Sequence, residues 1–268
     1  MSYIRYIVAL TSSLAITGGA QAAALIGASD ILFGEDLNPA ELVTTTPQEA
    51  RNAFLGNLNG TAGSYGFESV TLPFNLSSGA LTARFNQTCI SCVGTGTNAI
   101  NATLTGTGEV MNSADAGRFN TTPSGSKYLR VGTGNQFTLS FSRAIAAFGF
   151  YGTDIGDFEG SLEVFLRQAG TSVEDRFDVR TATSVAPSGS LLFWGFASSA
   201  ASYDRIRFVA NLRAGNTTPD NFGFDDFVVA DASQVRVRTG PPNGVPEPGS
   251  LALAALALLG AAAARRRA

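Results

Sequence analysis

Gln136-Phe137-Thr138-Leu139-Ser140-Phe141 alternates apolar and polar residues without a break. Side chains along a strand point to opposite faces, so this stretch has Phe137, Leu139 and Phe141 on a buried face and Thr138 and Ser140 on a wet one. Asp204-Arg205-Ile206-Arg207-Phe208-Val209 repeats the pattern with charges on the wet face. Working outward, the same period of two predicts strands over 67–70, 80–85, 99–105, 128–131, 145–151, 161–167, 176–182, 191–196, 203–210 and 224–230. Gly, Ser, Asn and Pro clusters separate them. Many short strands at even spacing point to an all-β fold, an antiparallel β-sandwich of the jelly-roll kind.

One stretch breaks the pattern. Thr46-Pro47-Gln48-Glu49 has the form of a capping box with proline at the first helical position. It predicts a helix to about Leu58, with Ala50, Phe54, Leu55 and Leu58 on one face and Asn59-Gly60 ending it. Such a stripe packs a surface helix on a sheet. Ahead of it, Ile31 to Pro39 mixes apolar residues with an acidic turn.

Composition narrows the function classes. Charged residues make up 15% of the chain and the net charge is −3, against a typical charged share of ~25%. Nucleic-acid binding calls for a basic surface, which this balance does not supply. The chain has no histidine, which removes His-dependent triads and His-based zinc sites.

Both ends read as export signals. Arg5, the apolar run Tyr6 to Ile16 and the A-x-A site Ala20-Gln21-Ala22 form a signal peptide over 1–22, with cleavage after Ala22. The body then occupies 23–239 as one domain. Gly240-Pro241-Pro242-Asn243-Gly244 is a linker, and 245–268 is a separate tail. In the tail, Pro246-Glu247-Pro248 leads into an apolar run from Leu251 to Ala264, closed by Arg265, Arg266 and Arg267. As a helix that run is about 21 Å long, short of the ~20 residues usual for crossing a bilayer. Its three arginines hold the end of a transmembrane segment on the cytoplasmic side.

This tail resembles the PEP-CTERM sorting signal of Gram-negative bacteria, in which Pro-Glu-Pro precedes a hydrophobic helix and an arginine cluster. The resemblance implies recognition by a membrane-embedded exosortase, transient anchoring through the C-terminal helix, removal of the tail, and delivery to the cell surface or an exopolysaccharide biofilm matrix. In the body, Phe33-Gly34-Glu35-Asp36, Gly149 to Phe158 and Gly223-Phe224-Asp225-Asp226-Phe227 resemble a group of uncharacterised exported PEP-CTERM proteins.

Few constellations point to chemistry. Cys89 and Cys92 are the only cysteines; in an exported β-rich chain the pair reads as a small-loop disulfide. Redox, metal and intermolecular roles are the alternatives. Asp154, Asp157 and Glu159 crowd one Gly-rich loop, and Asp225-Asp226 open the last strand. Calcium takes several carboxylate and carbonyl oxygens, so Glu68, Asp154, Asp157, Asp225 and Asp226 are its candidate ligands. By analogy with jelly-roll carbohydrate-binding modules, which often hold a structural calcium between their first and last strands, Glu68 on the first core strand would share an ion with Asp225 or Asp226. The alternative for these acids is turn capping. Glycoside hydrolysis would need two carboxylates across a cleft, for which Glu68, Glu159, Glu163 and Asp226 are available. Trp194, Tyr128, Tyr151 and Tyr203 are candidates for stacking on sugars. With 19 Phe against one Trp and six Tyr the aromatic area reads more simply as core, and Trp194 sits in an apolar run consistent with a buried strand. The reading is therefore a non-enzymatic surface or matrix protein, structural or adhesive and associated with exopolysaccharide. A calcium-stabilised carbohydrate-binding module is the alternative.

Overall fold

A computed structural model describes residues 26, 30–37, 45–87, 99–115, 117–155, 160–179, 188–212 and 220–236. The leader with Ala20 and Ala22, both cysteines, Asp157, Glu159, the linker and the whole tail lie outside the described residues.

In chain order the elements are β1 (Ile31–Asp36), α1 (Thr45–Gly56), β2 (Gly63–Tyr65), β3 (Phe74–Asn75), β4 (Leu81–Phe85), β5 (Ile100–Gly106), β6 (Glu109–Met111) and β7 (Tyr128–Gly132), then β8 (Gln136–Ile145), β9 (Ala147–Thr153), β10 (Gly160–Gln168), β11 (Glu174–Asp178), β12 (Leu191–Ala197), β13 (Tyr203–Leu212) and β14 (Asn221–Ala230). They form two antiparallel sheets. The eight-stranded sheet runs β1-β12-β9-β14-β7-β6-β3 with β2 also on β14, and the six-stranded sheet runs β11-β10-β13-β8-β5-β4. From β7 to β14 the chain changes sheet at every step except the β10–β11 hairpin, which is jelly-roll wrapping.

The alternation in β8 does what its pattern requires: Phe137 and Leu139 are buried while Gln136 and Ser140 are exposed. Between the sheets Phe137 stacks on Phe208 at 4.5 Å, and Phe224 meets its edge at 4.9 Å. Phe148, Phe150, Leu162, Val164, Trp194 and Ile206 belong to the same core. A second apolar layer lies on the other side of the eight-stranded sheet, where Phe54 of α1 packs on Phe193 at 5.6 Å with Tyr151 beside them. The expected surface helix is thus present, starting at Thr45 and ending at Gly56, with Leu58 beyond it in a bridge to Val235.

Four local expectations change. Residues 67–70 form a turn: Val70 N–H donates to Phe67 O at 2.9 Å, and Phe67 sits at φ 61°. Phe67 and Val70 are both buried; a spacing of three cannot put both on one side of a strand, whereas a turn can. Ile31 to Asp36 is an edge strand paired with β12, and the strand expected over 176–182 is Glu174–Asp178.

The fourth change decides where the acids go. Asp225-Asp226 do not open β14; they sit inside it at a bulge, where its register on β9 shifts between Asp225 and Val228. Phe222 and Phe224 face the core before the bulge, and Phe227 and Val229 face it after. Even positions cannot hand over to odd ones in a regular strand, so one extra residue is absorbed. Asp226 takes that strain at φ 49°, a region that aspartate tolerates better than most residues.

Candidate functional site

The described carboxylates of the predicted set, Glu68, Asp154, Asp225 and Asp226, are spent on protein donors. Asp225 Oδ2 accepts the Thr121 N–H at 2.7 Å, the Thr122 N–H at 3.0 Å and the Thr121 hydroxyl at 3.1 Å. Its burial outweighs these donors and pushes its carboxyl up to about 7. Glu68 Oε1 accepts the Ser126 and Lys127 N–H groups at 2.8 and 2.7 Å. Glu68 and Asp225 therefore fasten the two ends of one loop, 119–127, to the sandwich. Asp226 pairs with Arg51 of α1 at 3.0 Å, and burial again prevails, raising its carboxyl above the usual range.

Asp154 lies at the head of the same loop. Its Oδ2 meets Arg118 Nη1 at 2.8 Å and its Oδ1 accepts the Gly189 N–H at 2.7 Å. Burial still raises its carboxyl despite those partners. Among the described residues no group of three or more His, Cys, Asp or Glu side chains is arranged to hold a metal ion.

Other sequence candidates are separated or covered. Glu163 lies on the outer face of the six-stranded sheet and bonds Arg176; Asp226 lies under α1 on the outer face of the opposite sheet. The two do not share a cleft. Trp194, Tyr128, Tyr151 and Tyr203 are all buried, so none offers a ring to a sugar.

The outer face of the six-stranded sheet presents exposed or half-buried side chains across most of its described strands. One row crosses it through Arg176, Phe165, Arg207, Thr138 and Thr105, and the next through Glu174, Arg167, Arg205, Ser140, Thr103 and Thr82. Phe165 is half-buried, with the Arg207 guanidinium over its ring at 4.0 Å. Glu174 accepts from Arg207 at 2.7 Å and from Arg205 at 3.0 Å. Burial alone would raise its carboxyl, but these two arginines hold it below the usual range.

Arg167 pairs with Asp204 at 2.6 Å, and Arg176 with Glu163 and with Asp178 at 3.6 Å. Across β10, β11 and β13, four guanidinium groups (Arg167, Arg176, Arg205, Arg207) thus meet four carboxylates (Glu163, Glu174, Asp178, Asp204). The strands beyond them, β8, β5 and β4, present mainly hydroxyls. Within β10, strand alternation puts Phe165 on the same side as Glu163 and Arg167. The pairing that frames it comes from β11 and β13, which no local pattern could show.

Comparison with known proteins adds the address. The PEP-CTERM protein-sorting motif matches residues 244–267. The chain carries a PEP-CTERM sorting signal. This signal indicates an exported protein of the cell surface or extracellular space and, in general, processing by an exosortase. No helix among the described residues is long and apolar enough to cross a membrane.

No curated protein matches the chain. Among solved structures, the K2 cleaved adhesin domain of Lys-gingipain is similar over 63% of this chain and 99% of its own, at 13% identity and a TM-score of 0.36. The C-terminal family 22 carbohydrate-binding module of a Clostridium thermocellum xylanase is similar over 66% of this chain and 98% of its own, at 14% identity and a TM-score of 0.29. These distant likenesses assign no ligand to the chain carrying the PEP-CTERM signal.

Proposed function

We propose that this exported chain is a structural or adhesive component of the cell surface or matrix, and that it holds extracellular polysaccharide against the open face of its six-stranded sheet. The observation that carries the reading is the face itself: broad, charge-balanced and rich in hydroxyls, with one aromatic ring framed by arginines. A polysaccharide strand meets such a surface through many weak polar contacts, without desolvating an unpaired charge. In this reading the role is non-catalytic, which is supported by the described acids available for hydrolysis having protein partners: Glu68 holds loop 119–127, Asp226 pairs with Arg51 of α1 and Glu163 bonds Arg176. Before processing, the apolar run 251–264 holds the chain at the inner membrane while Pro246-Glu247-Pro248 is read.

The test is co-sedimentation of the exported protein, recovered from an exosortase-bearing host, with that host's exopolysaccharide. Recovery in the pellet is expected, and a protein that stays in the supernatant overturns the reading. Replacing Pro246, Glu247 and Pro248 by alanine is expected to leave the chain in the membrane fraction.

A further inference from the structure

At the end of this open face where β13 and β8 finish their pairing, the surface dips into a depression of ≈ 370 Å³ lined by Thr107, Asn135, Gln136, Val209, Asn211 and Leu212. Its volume falls at the low end of the range for small-molecule sites, about 300–1,000 Å³. Gln136 and Val209 are register partners on the outer face, and strand alternation puts Asn211 on the same side. The backbone here is already satisfied: Gly134 N–H donates to Ala210 O at 3.0 Å, Ala210 N–H to Asn135 O at 3.1 Å, and Thr107 N–H to Gln136 O at 3.0 Å.

The side chains are a different matter. Among the described residues the carboxamides of Asn135, Gln136 and Asn211 make no intramolecular hydrogen bond, although the ionised groups on β10, β11 and β13 are paired. Each carboxamide brings a carbonyl acceptor and an NH₂ donor a short distance apart. Three of them with a threonine hydroxyl, around an apolar floor from Val209, match adjacent hydroxyls on an uncharged ring. Among the described residues no charge lines the depression, so they offer an acidic sugar no counter-ion there.

We infer that this depression is a subsite for a neutral glycan unit, with Gln136 and Asn211 as its hydrogen-bonding residues and the row through Phe165 and Arg207 continuing the track. The inference rests on the polysaccharide reading of the face and adds the position and the ligand class.

The exported protein, a Gln136→Ala/Asn211→Ala variant and a Thr107→Arg variant that fills the depression are run through affinity gels. The gels contain a neutral glucan, a mannan or a galactan, with polygalacturonate as the acidic comparison. Slower migration in at least one neutral gel is expected, with dissociation constants about tenfold higher for the double variant, the cost of two lost polar contacts. Both variants change side chains without hydrogen-bond partners, so melting temperatures matching the parent are expected. Retardation by polygalacturonate alone, or equal binding by parent and both variants, overturns the subsite. If both variants still pellet with host exopolysaccharide as the parent does, the subsite fails while the matrix reading stands. If the parent itself does not pellet, the broader reading falls with it.

Discussion

Asp225 Oδ2 and the Thr121 backbone N–H, 104 residues apart in the chain, meet at 2.7 Å inside the protein. The carboxylate sits on the bulge of β14 and the amide on loop 119–127, so one buried acid ties the last strand of the sandwich to that loop. That tie carries a charge in a dry place, which gives it a pH dependence.

Burial holds the Asp225 carboxyl at about 7 in the folded protein, against roughly 3.9 in an unfolded chain. A folded-state value raised this way means that the fold binds the extra proton. The stabilisation it brings is complete below about pH 3.9 and is lost as pH rises through about 7. Asp226, raised by its own burial and held by Arg51, pushes in the same direction. Melting temperature followed across this window is expected to fall with rising pH, and Asp225→Asn to flatten that slope. An equal slope in both proteins would place the titration elsewhere.

Arg118 is the second anchor of the loop. Its guanidinium is nearly buried and reaches Asp154 at 2.8 Å, Asp115 at 3.3 Å and the Asn221 carbonyl at 3.2 Å. Arg118→Met leaves Asp154 charged with its cation gone, a change that costs roughly 3–5 kcal/mol in buried pairs. For a domain of this size the loss corresponds to roughly 6–20 °C in Tm. Asp154 sits at φ 63°, so asparagine, which tolerates that region, is the fitting second change. Arg118→Met/Asp154→Asn is expected to recover part of the loss by thermal melting, since the uncompensated charge is then removed.

The contrast between β8 and these anchors shows what a sequence can and cannot display. Phe137, Leu139 and Phe141 declare their buried side through period two, because sheet geometry imposes that period locally. The bulge at Asp225-Asp226 is equally local, yet it shows only when Phe222, Phe224, Phe227 and Val229 are all required to face inward, and reading a strand from Phe224 onward hides the change of phase. Phe67 and Val70 failed as a strand for a related reason, a spacing of three read as part of a spacing of two. Arg118 has no periodic context at all. Beyond Asp115, three residues back, its partners lie 36 and 103 residues away, and such distant pairings are set by topology. The carboxamide depression is of the same kind: Gln136 and Asn211 belong to different strands, and only the β8–β13 register brings them to one rim.

Glu68 offers a direct reading of whether its loop needs a metal. Its Oε1 is filled by the Ser126 and Lys127 N–H groups, while Lys127 Nζ reaches back to the Glu68 and Val70 carbonyls at 2.8 Å. Glu68→Ala is expected to speed hydrogen exchange at Ser126 and Lys127 while leaving the β8 amides protected. Treatment with chelator and then millimolar calcium is expected to leave Tm unmoved in parent and variant alike. A rise in the parent that Glu68→Ala abolishes would show an ion displacing these donors, since a ligand bound only to the folded state must raise Tm.

Gly34 and Gly56 make opposite predictions for one substitution. Gly34 lies in β1 opposite Phe193 and directly beneath the first turn of α1. A Cβ there would come within 2.5 Å of the Thr46 carbonyl oxygen and 2.9 Å of Ala50 Cβ. The obstacle is helix backbone, which cannot swing aside as a long side chain would, so α1 must lift. Lifting it strains the Phe54–Phe193 contact and the Arg51–Asp226 pair on the same helix. Overpacking of this kind costs about 1–3 kcal/mol, so Gly34→Ala is expected to lower Tm by several degrees. Gly56 ends α1 with nothing within 4 Å of an added Cβ, and alanine restricts the unfolded chain more than glycine does. Gly56→Ala is therefore expected to leave Tm level or slightly higher. If both substitutions destabilise equally, the helix is not seated on β1 through Gly34, and the closeness of the two elements has another cause.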